Sequence, residues 1–407
     1  MVLNPELVKS IDRLKPVDIV VGIQTKNVET TIAHVLNVVS EGLTEYFQDY
    51  KSLVVVSDGL SNDRTIEIAN LFGLQNHIKK LVVEGAGARG KGDAIRTVFE
   101  IAIRANAKAV VLLDGDLLSI KPRWLHSLTE PVLYGIADLV VPYYVRDKHD
   151  GLVTNNLAYP LTRALYGVNV RQPIGGDFGL SRALVDSLVD HKCYPEDFGI
   201  DIFITCVAAA TDMVIREALL GLKLHESATK YKDVSDHLID MCRQVATTMF
   251  DLAVYYEDKW KEIKPKKVKR RKIKYYGPKP LPVNVNLERI KALFNELFVK
   301  NRDVLKRNLP KNIFQHVKRY GVRNFGVEKW VKSVYSLLAA FNHEENRSAI
   351  IDSLTTLWLA RCFNYVNDTK DMSIEEVEEY IDKQAKTFEE EKKYLIRIMN
   401  HHSRSVC

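Results

Sequence analysis

Short apolar runs alternate with stretches of helical spacing through the first half of the chain. VDIVVGI (17–23), SLVVVSDG (52–59), KKLVVEG (79–85), KAVVLLDGD (108–116) and ADLVVPYYV (137–145) read as buried strands. TIAHVLNVVSEGL (31–43), DRTIEIANLFGL (63–74) and DAIRTVFEIAIRANA (93–107) carry the three-and-four spacing of helices that cover a sheet. Strands separated by helices of this length predict βαβ units on a mostly parallel sheet. From about residue 285 the period is helical throughout, in LERIKALFNELFVKNRDVL, EKWVKSVYSLLAAF, SAIIDSLTTLWLARCFNYV and IEEVEEYIDKQAKTFEEEKKYLIRIM. Between the two halves, DKWKEIKPKKVKRRKIKYYGPKPLP is basic, rich in proline and without apolar periodicity. The pattern predicts an α/β domain over 1–257, a linker over 258–284 and a smaller all-α domain over 285–407.

Composition narrows this picture only slightly. The chain has 407 residues, 46% hydrophobic and 27% charged, enough for two domains with proper cores. Its formal charge of +6 suits an anionic small substrate as well as nucleic acid. Five cysteines (Cys193, Cys206, Cys242, Cys362, Cys407) are scattered without a C-x-x-C pair, which argues against a disulfide framework or a zinc site. The first residues are polar, unlike a signal peptide, and no apolar run approaches the roughly 20 residues of a membrane span. A soluble, cytoplasmic protein is expected. His401 and His402 in the tail receive no role.

On a parallel sheet, ligands sit at the carboxyl ends of the strands. Gln24 and Lys26, Ser57 and Asp58, the glycine loop, and Asp114 with Asp116 all fall there. The loop EGAGARGKG spells G-x-G-x-x-G and nearly spells a P-loop. The P-loop reading fails because Gly92 follows Lys91 where a magnesium-binding hydroxyl is needed. The dinucleotide reading fails because that fingerprint belongs to the first βα turn, here GIQTKNVET. Asp114-Gly115-Asp116 uses more of the residues. Two carboxylates leaving a strand end offer hard oxygen ligands to Mg²⁺ or Mn²⁺, with positions left for phosphate oxygens. The same triplet is also what a solvated turn looks like. Asp58 at the second strand end offers a carboxylate to a ribose or base. Lys91, before a helix N-terminus, can meet a diphosphate with help from backbone N–H groups.

SDGLSND, GKGDA, DGD, RQPIGGDFGLS and DFGID, in this order, resemble the GT-A glycosyltransferases of the mannosylglycerate synthase and glucosyl-3-phosphoglycerate synthase type. The resemblance covers about residues 17–245 and continues faintly at LWLARCFNYV (357–366). It implies a GT-A (Rossmann-like) nucleotide-sugar-binding domain followed by a helical domain. It also implies a metal site of Asp114, Asp116 and His225 (in GLKLHES). Donor contacts would come from Gln24, Asp58, Lys91, Asp114, Gly176, Asp177 and Asp201, with Asp114, Asp116 and Asp201 catalytic. Acceptor contacts would come from Arg146, Thr154 and Gly175. Arg146 and Thr154 stand eight residues apart, as do the arginine and threonine that hold a glycerate carboxylate in mannosylglycerate synthase.

The implied activity is hexose transfer, with retained configuration, from a GDP- or UDP-hexose to D-glycerate or 3-phosphoglycerate. It would proceed by same-face substitution without a protein general base and would require a divalent cation. Phosphoglycerate enzymes carry basic or amide residues directly after the metal histidine. Glu226 stands there in this chain, which weakens the phosphate-acceptor reading unless Lys230 or Lys232 supplies the charge. Alternatives are a transferase acting on a polyprenyl phosphate, a nucleotidyltransferase, or a nucleic-acid-binding protein using the basic stretch 259–274. The last would leave Asp114, Asp116 and His225 without purpose, so no nucleic acid is expected. A homodimer or higher homo-oligomer is expected.

Overall fold

The computed structural model of the chain describes residues 3–85, 88–226, 236–263, 277–343 and 346–404. Lys230, Lys232, most of the basic stretch and the side chains of His401 and His402 lie outside the described residues.

Seven strands form one sheet in the order β3-β2-β1-β4-β6-β5-β7. They are β1 (Ile19–Thr25), β2 (Ser52–Asp58), β3 (Ile78–Val83), β4 (Ala109–Asp114), β5 (Leu139–Val145), β6 (Phe178–Ser181) and β7 (Ile215–Leu222). All pairings are parallel except those of β6, which runs against both β4 and β5. The central strands β1 and β2 are buried along their whole length, which is why their sequences are continuous apolar runs. Helices α2 (Ile32–Phe47), α3 (Thr65–Leu71) and α4 (Lys91–Arg104) follow the expected alternation, and α1 (Pro5–Leu14) and α5 (Pro122–Leu133) add to it. The apolar face of α2 meets α5 and the sheet in a cluster containing Val35, Leu43, Val111, Leu113 and Trp124.

Two strands escaped the hydrophobic pattern. The four residues of β6 sit inside the glycine-rich GGDFGLS. The edge strand β7 carries Arg216 and Glu217, so its apolar run is broken. Glycine in these elements is a matter of space. A Cβ on Gly179 in β6 would lie 1.9 Å from the Leu128 carbonyl oxygen of α5.

The chain folds into two compact units that do not follow the compositional boundaries. The first comprises Met1–Arg146, Val170–Lys232 and Ile273–Pro280, and the second Asp147–Asn169, Asp233–Lys272 and Leu281–Cys407. Residues 147–169 and the helix Asp236–Tyr255, expected within the catalytic part, thus belong to the second unit. Composition sees where a chain turns basic, but not where it leaves a core and returns.

The first unit also holds α7 (Arg182–Val189) and α8 (Ile200–Ala210), α7 being capped by the Ser181 hydroxyl, which accepts from the Leu184 N–H at 3.2 Å. The second unit is helical. Its elements include the π-helical turn Thr154–Ala158, α6 (Tyr159–Tyr166) and the long helices Leu287–Asn308, Val327–Phe341, Arg347–Thr369 and Ile374–Arg404. Its core buries Trp260, Trp330, Trp358, Tyr335 and Tyr365 completely. The Arg163 guanidinium is buried there against Asp382 at 2.6 Å and Glu389 at 2.9 Å. No helix among the described residues is long and apolar enough to cross a membrane.

Gly179→Ala is expected to destabilise the protein by about 2 kcal/mol, because the added methyl meets backbone that has no way to step aside. The check is a lowered urea midpoint at unchanged slope.

Candidate active site

The ends of β1, β2 and β4 lie side by side, with Gln24 paired in register to Ser57 on one flank and Asp114 on the other. Asp114 is the centre of the polar groups gathered there. Its carboxylate takes the Lys91 ammonium on Oδ1 at 2.9 Å and the Lys223 ammonium on Oδ2 at 3.0 Å. Lys91, the first residue of α4, also pairs with Asp201 at 3.1 Å, in the first turn of α8. Lys223, just past β7, reaches Asp177 at 3.0 Å and the Gly175 carbonyl at 2.9 Å. Asp177 in turn accepts from the Asp114 N–H at 2.9 Å and from the Tyr144 hydroxyl. The result is a continuous chain of alternating charge, Asp201–Lys91–Asp114–Lys223–Asp177, closed by a tyrosine.

Three carboxylates against two ammonium groups leave one formal negative charge in a buried place, and the ionisations divide accordingly. Burial pushes the Asp114 carboxyl up, but the two lysines overcome this and hold it well below the usual carboxylate range. Burial dominates at Asp177 and Asp201, each with one lysine partner, and their carboxyls titrate higher than usual. Burial disfavours the charge on Lys91 and Lys223, and the carboxylates on either side more than restore it. Glycine makes the crowding feasible. Gly176 has φ +89°, and a Cβ on it would lie 2.4 Å from Asp114 Oδ2.

Asp116 is held apart from this chain. The Gly115 N–H donates to the Gln24 carbonyl at 2.9 Å, and the Gly115 carbonyl accepts from the Thr31 hydroxyl at 2.8 Å. Leu117 then forms a β-bridge with His225, flanked by Leu118 N–H to the Leu224 carbonyl and Glu226 N–H to the Asp116 carbonyl, both 2.9 Å. This clamp sets Asp116 Oδ2 3.5 Å from His225 Nδ1, with the two side chains 19% and 32% exposed.

The D-x-D triplet therefore divides, its two carboxylates taking different partners. Strand β4 ends at Asp114, so the alternation that would put i and i+2 on one face ends with it. Among the described residues, no three His, Cys, Asp or Glu side chains gather as a metal site. Asp116 and His225 are a two-donor set of carboxylate oxygen and imidazole nitrogen. Such a set fits a divalent cation that takes its remaining ligands from phosphate and water.

Three further expectations change. Asp58 is fully buried, and its oxygens accept from the Thr25 hydroxyl at 3.0 Å, the Ser61 N–H at 2.8 Å and the Ser61 hydroxyl at 2.6 Å. It shapes the turn after β2 instead of reaching a ribose. Asp177, also fully buried, positions Asp114 and Lys223 instead of touching a sugar. The glycine loop is no anion cradle at its helix end. The N–H groups of Gly92 and Asp93 donate to the Asp197 and Glu196 carbonyls at 3.2 and 3.1 Å, and a Cβ on Gly92 would meet the Pro195 carbonyl oxygen at 2.1 Å.

Gln24 keeps a buried Oε1 without a hydrogen-bond partner at the end of β1. Arg146, just past β5, stands 5.5 Å from the Tyr144 ring centre, with a buried Nε that has no hydrogen-bond partner. Thr154 belongs to the second unit. Lys223 and Tyr144 were missed in the sequence. Lys223 stands two residues before His225, beyond an edge strand that the pattern did not reveal.

The site sets an acid–imidazole pair beside a buried, charge-balanced floor at the strand ends. The chain belongs to the family described as mannosylglycerate synthase, GT domain, which matches residues 14–247, and it is a glycosyltransferase of GT-A fold. No curated protein sequence matches it. Among solved structures it is similar to glucosyl-3-phosphoglycerate synthase from Mycobacterium tuberculosis. The complex with Mn²⁺, UDP and glucosyl-3-phosphoglycerate gives 26% identity and TM-score 0.45, over 60% of this chain and 83% of the other. The complex with Mn²⁺, UDP-glucose and phosphoglyceric acid gives 26% identity and TM-score 0.46, over 61% and 84%.

One end of the charge chain and its centre predict opposite behaviour on neutralisation. An unfolded aspartate titrates near about 3.9. Asp201 titrates higher when folded, so its proton supports the fold below 3.9 or so, and that support is lost as pH rises through the folded value. At neutrality the ionised group is a burden, and Asp201→Asn is expected to be no less stable than the parent at pH 7. The stabilisation from Asp114 is present above the unfolded value and lost only well below it. Asp114→Asn strands two ammonium groups and is expected to lower stability by about 3 kcal/mol. Urea unfolding of both variants at pH 7 checks the contrast.

Proposed function

We propose that the protein moves a hexose, with retention of configuration, from a GDP- or UDP-hexose to a glycerate-type acceptor. The observation that supports this most is the Asp116–His225 pair, clamped beside the Asp114 charge chain in a chain of the mannosylglycerate synthase family. Asp116 and His225 would hold Mg²⁺ or Mn²⁺. When bound, the cation offsets the charge that builds on the leaving diphosphate.

The chain's own residues do the positioning. Lys91 offers an ammonium to the donor and is kept charged by Asp114 and Asp201. Asp201, in the first turn of α8, offers its carboxylate to a sugar hydroxyl. Lys223 and Asp177 fix the orientation of Asp114 from behind. Gly175 and Gly176 let the substrates approach the backbone closely. The Arg146 guanidinium suits a carboxylate in a two-point grip. The acceptor hydroxyl attacks on the face that the diphosphate leaves, and a phosphate oxygen takes its proton. Catalysis then rests on orientation and charge more than on acid–base chemistry. Glu226, an anion next to His225, favours D-glycerate over 3-phosphoglycerate.

The test crosses GDP-mannose, GDP-glucose and UDP-glucose with D-glycerate and 3-phosphoglycerate under Mg²⁺ or Mn²⁺, following nucleoside diphosphate release. Acceptor-dependent release is expected, abolished by EDTA and by Asp116→Ala. Donor hydrolysis that ignores both acceptors would refute the acceptor and direct the search to lipid phosphates.

A further inference from the structure

The turn that Asp58 shapes holds a leucine in a conformation that leucine rarely takes. Among the described residues, those other than glycine with a positive φ are Asn27, Leu60, Asn106, Asp212 and Asn324. Asparagine and aspartate tolerate the left-handed region because their short polar side chains bond the local backbone. Leu60, at φ +63°, has no such compensation. Its side chain is also 59% exposed, so it gains little from burial. Glycine or asparagine would serve this turn better and would show no apolar surface to water.

The conformation is imposed from two sides. Asp58 accepts from the Ser61 N–H at 2.8 Å and the Ser61 hydroxyl at 2.6 Å, closing the turn around Leu60. The turn after β1 grips it from the other side. The Gly59 N–H donates to the Thr25 carbonyl, the Asn27 N–H to the Ser61 hydroxyl and the Asn62 N–H to Asn27 Oδ1, each at 2.8 Å. The glycine loop begins beside it, where a Cβ on Gly85 would lie 3.4 Å from Leu60 Cδ2. The result is one fixed, exposed apolar side chain just past the carboxyl end of β2. Strain that the surrounding backbone over-determines is characteristic of ligand clamps.

The sheet order indicates which part of a ligand would meet it. Only β1 stands between β2 and β4, so their ends lie about 10 Å apart at ordinary strand spacing. A nucleotide laid across the strand ends with its diphosphate at β4 brings its nucleobase over β2. The flat face of the nucleobase is the one broad apolar surface that a sugar nucleotide presents. We infer that Leu60 is the apolar contact for the donor's nucleobase and that the two turns hold it strained for that purpose. This rests on the reading of the donor as a nucleotide sugar.

The test is calorimetric titration of the full-length protein with UDP and with GDP in the presence of Mn²⁺. It compares the parent with Leu60→Gly, Leu60→Asn, Leu60→Met and Asp116→Ala, and adds thermal unfolding of each. Leu60→Gly and Leu60→Asn relax the turn and remove the apolar face. Both are expected to unfold at a temperature no lower than the parent's. Both are also expected to raise the Kd of the better-bound nucleotide about tenfold, the scale of one leucine side chain withdrawn from water. Leu60→Met keeps an apolar side chain of similar volume and is expected to bind like the parent. If Asp116→Ala loses the nucleotide while Leu60→Gly and Leu60→Asn bind like the parent, the inference is overturned and the donor reading stands. If the parent binds neither nucleotide, both fall. Weakened binding together with a lowered unfolding temperature in Leu60→Gly and Leu60→Asn would also overturn the inference, because the leucine would then serve the fold.

Discussion

The site depends on one carboxylate held between two ammonium groups. Asp114 alone would resist ionisation where it is buried. Lys91 and Lys223, each within 3.0 Å, keep it charged and are kept charged by it. Everything around it follows from that trio. Gly176 is glycine because a Cβ would displace the Asp114 oxygen. Asp177 is buried because it must orient Lys223 and receive the Asp114 N–H. Asp201 is the outer end of the chain, paired with Lys91. A buried ionic chain of this kind is poor as a source of stability and well suited to fixing polar groups ahead of a reaction.

The second constraint is the backbone clamp that separates Asp116 from Asp114. A D-x-D triplet on an extended strand would point both carboxylates the same way. Here the strand stops at Asp114, Gly115 is pressed against the Gln24 carbonyl, and the bridge between Leu117 and His225 aims Asp116 at the imidazole. One short motif thus sends its two acids to different partners, Asp114 to the charge-balanced floor and Asp116 to the imidazole, by turning the chain between them.

Much of this was legible in the sequence, for identifiable reasons. Central parallel strands are buried on both faces, so β1, β2, β4 and β5 declare themselves as apolar runs. The glycine and aspartate motifs fall at their carboxyl ends because that is where the sheet opens. The rest was hidden by causes equally physical. Strand β6 is too short and too rich in glycine to show a period, and β7 is an edge. With β7 unseen, Lys223 had no strand end to mark it, and its role depends on partners 46 and 109 residues away in sequence. Asp58 and Asp177 were over-read because a carboxylate at a strand end looks the same whether it faces a ligand or its own turn. The division into units was misjudged because residues 147–169 carry no change of composition where they leave the first core.

The central claim is that Asp116 and His225 hold the cation and Asp114 does not. Electron paramagnetic resonance of Mn²⁺, titrated with protein and saturating UDP or GDP, tests it without any assay of turnover. Uptake of Mn²⁺ by the parent protein should be strongly weakened in Asp116→Ala and His225→Ala. It should persist in Asp114→Asn, whose fold is confirmed by circular dichroism. Loss of Mn²⁺ in folded Asp114→Asn, with uptake retained in His225→Ala, would contradict the account.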